Sequence, residues 1–419
     1  MSNATHRSSA GDERSPWWSG LAIVAGASIG YCAIATAIYA GAQLDGARGG
    51  RTGSLLAMTA ILLGLLLAII ALRNAARRSN WSVATRRACG VTASALGPLV
   101  ALGIVVFVFA AADAWQGGRG NFWSLGSLRL VAVQTVTIAV AALGMTMIII
   151  AGGIDLSAGT ALALSGTVCA LVFKHDAGPW AALCAAVACG AACGALNGVL
   201  TSLLRLVPFI ITLGTMTIFL GIGKSIAEDG GTVTPAMDSV PTWLETMVTQ
   251  SPNSPWIAWP LLPNFAWGVW LACGLAVLVA LILHRTLLGR YLYAIGSNEA
   301  TARLCGIPVA RVKVLVYALA GCLVGIAGIY QFARLSKGDA TAGMGLELKI
   351  IAAVVIGGGS LSGGRGSVVG TLCGATIMSV IGHGCTALGL ENQVEDILLG
   401  MIIVAAVYVD HLRQRRLGS

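Results

Sequence analysis

The run LVAVQTVTIAVAALGMTMIIIAGGIDLSAGTALALSGTVCALVF, residues 130–173, decides the fold. Two apolar stretches, 130–151 and 157–173, flank a Gly152-Gly153 break, and Asp155 is the only acidic residue among them. A helix crossing a bilayer needs about 20 apolar residues, and the first stretch meets that length. Read outward with the same ruler, the chain offers further spans at 18–40, 55–72, 91–112, 180–203, 209–227, 266–283, 314–331, 367–385 and 394–409. A shorter run, 346–357, is expected to enter as a half-helix.

Composition agrees. Of 419 residues, 57% are hydrophobic, 10% are charged and 55 are glycine. Soluble domains carry about 25% charged residues, so a soluble enzyme, a secreted disulfide scaffold and a disordered chain are disfavoured. Small residues let helix backbones approach closely in lipid. The expected fold is all-α: a polytopic integral membrane helical bundle with about ten core segments, one of them a half-helix, preceded by two extra N-terminal helices. The expected divisions are 1–90 for the extension, 91–410 for the core and 411–419 for a basic tail.

The net charge of +9 is strung between apolar runs and forms no basic face with interleaved aromatics, so it reads as a topology signal and not as a nucleic-acid surface. Arg73, Arg77, Arg78, Arg86 and Arg87 crowd one loop, Arg285, Arg290, Arg303, Arg311 and Lys313 another, and Arg413, Arg415 and Arg416 close the chain. Placing these on one side makes both termini cytoplasmic. The segment 228–265, with six prolines, is then an external loop, and 284–313 is a large internal loop with its own helical stretch at 298–305. Ala40-Gly41-Ala42 has the form of a cleavage site, but the apolar run before it is long for a signal peptide, so an uncleaved first helix is expected. The eleven cysteines form no CxxC pair; Cys189 and Cys193 share a helix face without a His or carboxylate partner, so packing and not a metal site is expected.

Several enzyme-like patterns fail on inspection. Gly221-Ile222-Gly223-Lys224-Ser225 ends like a phosphate loop, but Ile218 stands where its first glycine belongs. Gly26-Ala27-Ser28-Ile29-Gly30, with His383 in a later span, has the form of an intramembrane serine protease; small-residue helix packing is preferred. Intramembrane ionisable groups default to functional hypotheses, but Asp155 or Ser157 capping the next helix explains the position of the carboxylate, and that structural reading is preferred. Asn197 is either packing glue or part of a path, and Thr212, Thr215 and Thr217 on PFIITLGTMTIFLG offer weak contacts to a polar solute. Lys224, Glu347, Lys349, Glu395 and Asp396 are expected near span ends, which weakens an ion-coupled symporter. GGIDLSAG (152–159) and GGSLSGG (358–364) form a weak internal echo.

Four long stretches resemble the permease subunits of ribose-type ABC sugar importers: GGIDLSAGTALALSG, PFIITLGTMTIFLG, GRYLYAIGSNEATARLCGIPVARVK and TAGMGLELKIIAAVVIGGGSLSGGRGSVVGTLCGA. Their order and spacing cover roughly residues 91–410. The resemblance implies a two-permease core with a second permease copy, ABC ATPase subunits, an extracytoplasmic solute-binding protein, and surrounding lipid in a bacterial inner membrane. It implies no catalytic residue, metal or cofactor in this chain, with ATP and Mg held by the partner ATPase. It also implies that the internal loop couples to the ATPase through Gly296, Ser297, Asn298, Glu299, Ala300 and Arg303. The chain departs from that family at Lys349, where an acidic residue is common, and at Gly382-His383-Gly384, which replaces an Asn-rich stretch. The solute is expected to be a monosaccharide or sugar alcohol moved by alternating access; the alternative is an ion-gradient-driven secondary transporter.

Overall fold

The computed structural model describes residues 83–115, 122, 124–204, 206–227, 231–236, 238–249 and 266–415. Its long helices are α1 (Val83–Trp115), α2 (Leu125–Ile150), α3 (Ala158–Lys174), α4 (Pro179–Leu204) and α5 (Pro208–Ile226). After β1 (Thr232–Val233) and the single turn α6 (Thr242–Glu245) come α7 (Trp267–Arg285), α8 (Leu287–Ser297), α9 (Glu299–Leu304) and α10 (Val309–Leu335). The chain closes with β2 (Gly338–Asp339), α11 (Leu346–Ile356), α12 (Val368–Ala387) and α13 (Asn392–Arg415). Every apolar run expected between 91 and 409 is helical. The two helices expected at 18–40 and 55–72, Ser28 and residues 250–265 lie outside the described residues.

Seven of the described helices are long and apolar enough to cross a membrane. Their burial separates a centre from a rim. In α2, 83% of the apolar window is buried, against 28% in α5 and in α7. The exposed faces of those rim helices are themselves apolar, with Phe209, Ile210, Leu213 and Ile218 on α5 and Leu271, Val277, Leu278 and Leu281 on α7. A helix on a water-soluble surface shows polar residues there; these faces suit hydrocarbon.

Close backbone approach holds the centre together. Along the α4–α10 seam a side chain at Gly190 would strike the carbonyl of Gly321, and one at Gly325 would lie 2.7 Å from the carbonyl of Ala186. Without a water-driven hydrophobic force between helices in lipid, such contact supplies packing energy that larger residues would prevent. Thr146 on α2 and Thr371 on α12 add a buried hydroxyl pair at 2.7 Å.

The bundle has two distinct ends. At the strand end β1 pairs antiparallel with β2, and Trp180, Trp243 and Trp267 pack ring to ring at 6.1 and 6.4 Å. At the loop end lie α8 and α9. The chain after β2 turns back into the bundle along α3: a side chain at Gly338 would meet Thr167 Cα at 2.7 Å, and one at Gly343 would meet Ala163 Cβ at 3.0 Å and the carbonyl of Gly159. Gly345, with φ +82°, then opens α11. Its 11 residues extend about 16 Å, roughly half a bilayer core.

That descent corrects one expectation. Glu347 and Lys349 do stand near a helix terminus, but the terminus lies inside the bundle. Glu347 is buried against the first turn of α3, where a side chain at Gly159 would collide with its carboxylate. Lys349 forms an ion pair at 2.6 Å with Glu395 of α13.

Candidate functional site

The break after α2 is built by backbone geometry first. The amides of Gly152 and Gly153 turn back to the carbonyls of Ile149 and Ile148, both at 2.9 Å, with Gly152 at φ +78°. Only glycine takes that conformation without steric cost. The next residues, 153–157, belong to no helix or strand, so their amides and carbonyls need partners from elsewhere.

Those partners are the polar residues on α4 and α5. Thr212 accepts from the amide of Leu156 (3.1 Å) and donates to the carbonyl of Ile154 (3.2 Å). Asp155 Oδ1 accepts from the amide of Ser157 (2.8 Å), the hydroxyl of Ser157 (2.6 Å) and, more distantly, Asn197 Nδ2 (3.4 Å). Asn197 Nδ2 also donates to Ser157 Oγ at 2.8 Å, while its Oδ1 accepts from Thr215 at 2.7 Å. All five side chains are buried.

Asp155, Ser157, Asn197 and Thr215 therefore form one network, with Thr212 pinning the same segment. Ser157 makes no capping bond of its own; its hydroxyl goes to Asp155. A carboxylate with its near oxygen occupied by three donors fixes the break in place. Thr217 stands apart, exposed, its hydroxyl donating to the carbonyl of Gly214 at 2.8 Å.

At the loop end, Thr286 accepts from the amide of Gly289 to start α8. Asn298 accepts from the amide of Thr301 at 2.9 Å, which caps α9. Glu299 binds Arg303 at 2.7 Å and Lys313 of α10 at 2.8 Å. Ser297, Asn298, Ala300 and Arg303 are exposed, whereas Gly296 faces inward. Leu304 is 90% exposed at the tip of the loop. The sequence reading missed it, although a leucine between Arg303 and Cys305 in a charged loop was the available signal.

Partial burial alone would raise the pKa of Glu299, but hydrogen bonds and charge from Lys313 and Arg303 outweigh it and hold the carboxyl below its usual value. A depressed carboxylate contributes its stabilisation above its unfolded value and loses it as pH falls through the folded one. The protection of α9 against hydrogen exchange, with the intrinsic pH dependence of amide exchange divided out, is therefore expected to stay constant from pH 8 to about 5 and to fall only below the ordinary carboxylate range of about 4.3. Glu299→Gln is expected to flatten that acid limb; an unchanged acid response in the variant would remove Glu299 as its source.

The two departures from the ribose-type pattern meet in space. Glu395, the partner of Lys349, also lies 3.1 Å from where a side chain at Gly382 would begin. His383 is buried, with its ring 5.9 Å from that of Phe122.

Comparison with known proteins agrees with this architecture. Residues 127–407 match the family model described as branched-chain amino acid transport system / permease component. The chain is 39% identical over 301 residues to the ribose import permease of Escherichia coli (strain K12), covering 70% of this chain and 88% of the relative. It is 37% identical over 323 residues to the ribose import permease of Bacillus subtilis (strain 168), covering 75% and 92%. Against the fructose import permease of Rhizobium meliloti it is 31% identical over 294 residues, covering 70% and 79%. No solved structure matches the chain.

Proposed function

Since the chain belongs to the family of permease components of branched-chain amino acid transport systems, and its relatives of known name import ribose and fructose, we propose that it is the membrane subunit of an ATP-driven importer for a small polyhydroxylated solute. The solute is a monosaccharide or sugar alcohol, and the membrane is a bacterial inner membrane with both chain termini on the cytoplasmic side. In this reading the chain itself binds no ATP. ATP and Mg bind an ABC ATPase subunit, an extracytoplasmic binding protein delivers the solute, and a second permease copy completes the path.

One observation carries this reading: the build of the loop end. Two capped short helices, locked to α10 through Glu299 and Lys313, present Ser297, Asn298, Ala300, Arg303 and Leu304 outward. A pre-organised surface loses little entropy on docking, which suits a contact that must transmit force. Differential binding of the closed ATPase pair to one permease conformation then shifts the bundle between inward-open and outward-open states.

The test is gentle purification of the tagged chain from its native membrane, with identification of what accompanies it. Recovery of an ABC-type ATPase and a sugar-binding protein is expected. Recovery of neither, together with uptake in vesicles that collapses with an ion gradient and survives ATP depletion, would replace this reading with a secondary transporter.

A further inference from the structure

The two glycine-rich stretches that echo each other in the sequence meet the coupling loop at a single point. Gly364, at φ +72°, donates its amide to the carbonyl of Ile150 at 2.9 Å, the last carbonyl of α2. Gly296, near the end of α8, is pressed against both groups: a side chain there would strike the carbonyl of Ile150 and lie 2.5 Å from the amide of Gly364. Gly363, at φ +86°, closes the third side, where a side chain would lie 2.7 Å from the carbonyl of Gly296 and 3.0 Å from Gly152 Cα. One turn of α8 away, the hydroxyl of Tyr293 reaches the carbonyl of Gly366 at 3.4 Å.

We propose that Gly296, Gly363 and Gly152 form a three-way backbone joint through which a displacement of α8 and α9 reaches both interrupted segments of the bundle at once. The proposal rests on the ATPase-driven reading and adds positioning residues to it. Contact here is main chain on main chain, with no side chain between to absorb a shift by changing rotamer, and close-packed interiors transmit strain.

Each arm of the joint leads somewhere distinct. Beyond Gly152 lie Ile154 to Leu156, tied to α5 by Thr212 and to α4 by the Asp155–Asn197 network. Beyond Gly364 lies α12, whose Gly370 touches Gly357 at the end of α11. One motion at the loop therefore addresses α3, α4 and α5 on one side and α11 and α12 on the other.

The test is hydrogen–deuterium exchange on the intact complex, purified with its ATPase, before and after trapping with ATP and vanadate. In the wild type, segments 287–305, 150–158 and 358–366 are expected to change together, by about tenfold in rate, or about 1.4 kcal/mol. Gly296→Ala is expected to keep the change at 287–305, while 150–158 and 358–366 become unresponsive and uptake per ATP falls. Wild-type responses in both distant segments of that variant would overturn the joint. If Gly296→Ala does not assemble, the wild type alone decides: a change confined to 287–305 defeats the joint and leaves the motor reading standing, whereas a shared change supports it. No nucleotide-dependent change anywhere defeats the motor reading, and the joint with it.

Discussion

Replacing Asn197 with leucine is expected to destabilise the bundle by about 2–4 kcal/mol. Single interhelical hydrogen bonds in membranes average only about 0.6 kcal/mol. Leucine removes both arms of the amide at once: Thr215 loses its acceptor at 2.7 Å and keeps only the carbonyl of Thr212 at 3.3 Å, while Ser157 and Asp155 each lose a donor and keep each other. The loss is spread over three buried groups that each stay partly bonded, and the desolvation cost of a buried polar group, about 1–3 kcal/mol, sets its scale. Thermal exposure of the buried thiols Cys169 and Cys373 to a reactive dye in detergent measures the shift. Asp155→Asn keeps one acceptor oxygen for Ser157, so a smaller loss with unchanged solute selectivity is expected. An Asn197→Leu protein as stable as wild type would mean that the network does not hold the break.

The second large effect concerns Leu304. Leu304→Asp is expected to leave the melting temperature of the isolated permease unchanged, because a side chain 90% exposed has little to lose in folding. Its effect falls on assembly. Burying a leucine in a partner is worth about 2 kcal/mol, and a desolvated, unpaired carboxylate costs several more, so co-purification of the ATPase and uptake are both expected to fall by about 100-fold or more. Normal recovery of an ATPase with the variant would take Leu304 out of the contact.

Much of this was legible because a bilayer imposes a length. The apolar runs could be measured against it, and each one among the described residues became a helix. The break at Gly152-Gly153 was legible too, since paired glycines and a lone Asp155 interrupt an otherwise featureless run. What the sequence hid was company. Asp155, Asn197 and Thr215 lie 42 and 18 residues apart in turn, and nothing local says that α4 and α5 pack on the start of α3.

Part of the threonine pattern could have been read more sharply. Thr212 and Thr215, three residues apart, share a face, whereas Thr217 stands about 200° from Thr215 at ~100° per residue. The separation of Thr217 from the network follows from that spacing alone. Glu347 and Lys349 are a different case: the sequence places them at the start of a half-helix, and only the fold shows that this start is packed against α3 and α13 inside the bundle.

The dip of the chain between β2 and α11 carries a consequence for biogenesis. As residues 338–356 leave the ribosome they make a poor independent insertion unit, since a strip of successive turns followed by 11 helical residues is too short to span the hydrocarbon core. The strip has a place only once α3 is already in the membrane to receive it, and α11 is covered only when α12 and α13 have been made. Maturation of the bundle therefore ends with a docking event inside the membrane, late in synthesis, and chains released before α12 is complete are the ones a membrane protease would meet half-built.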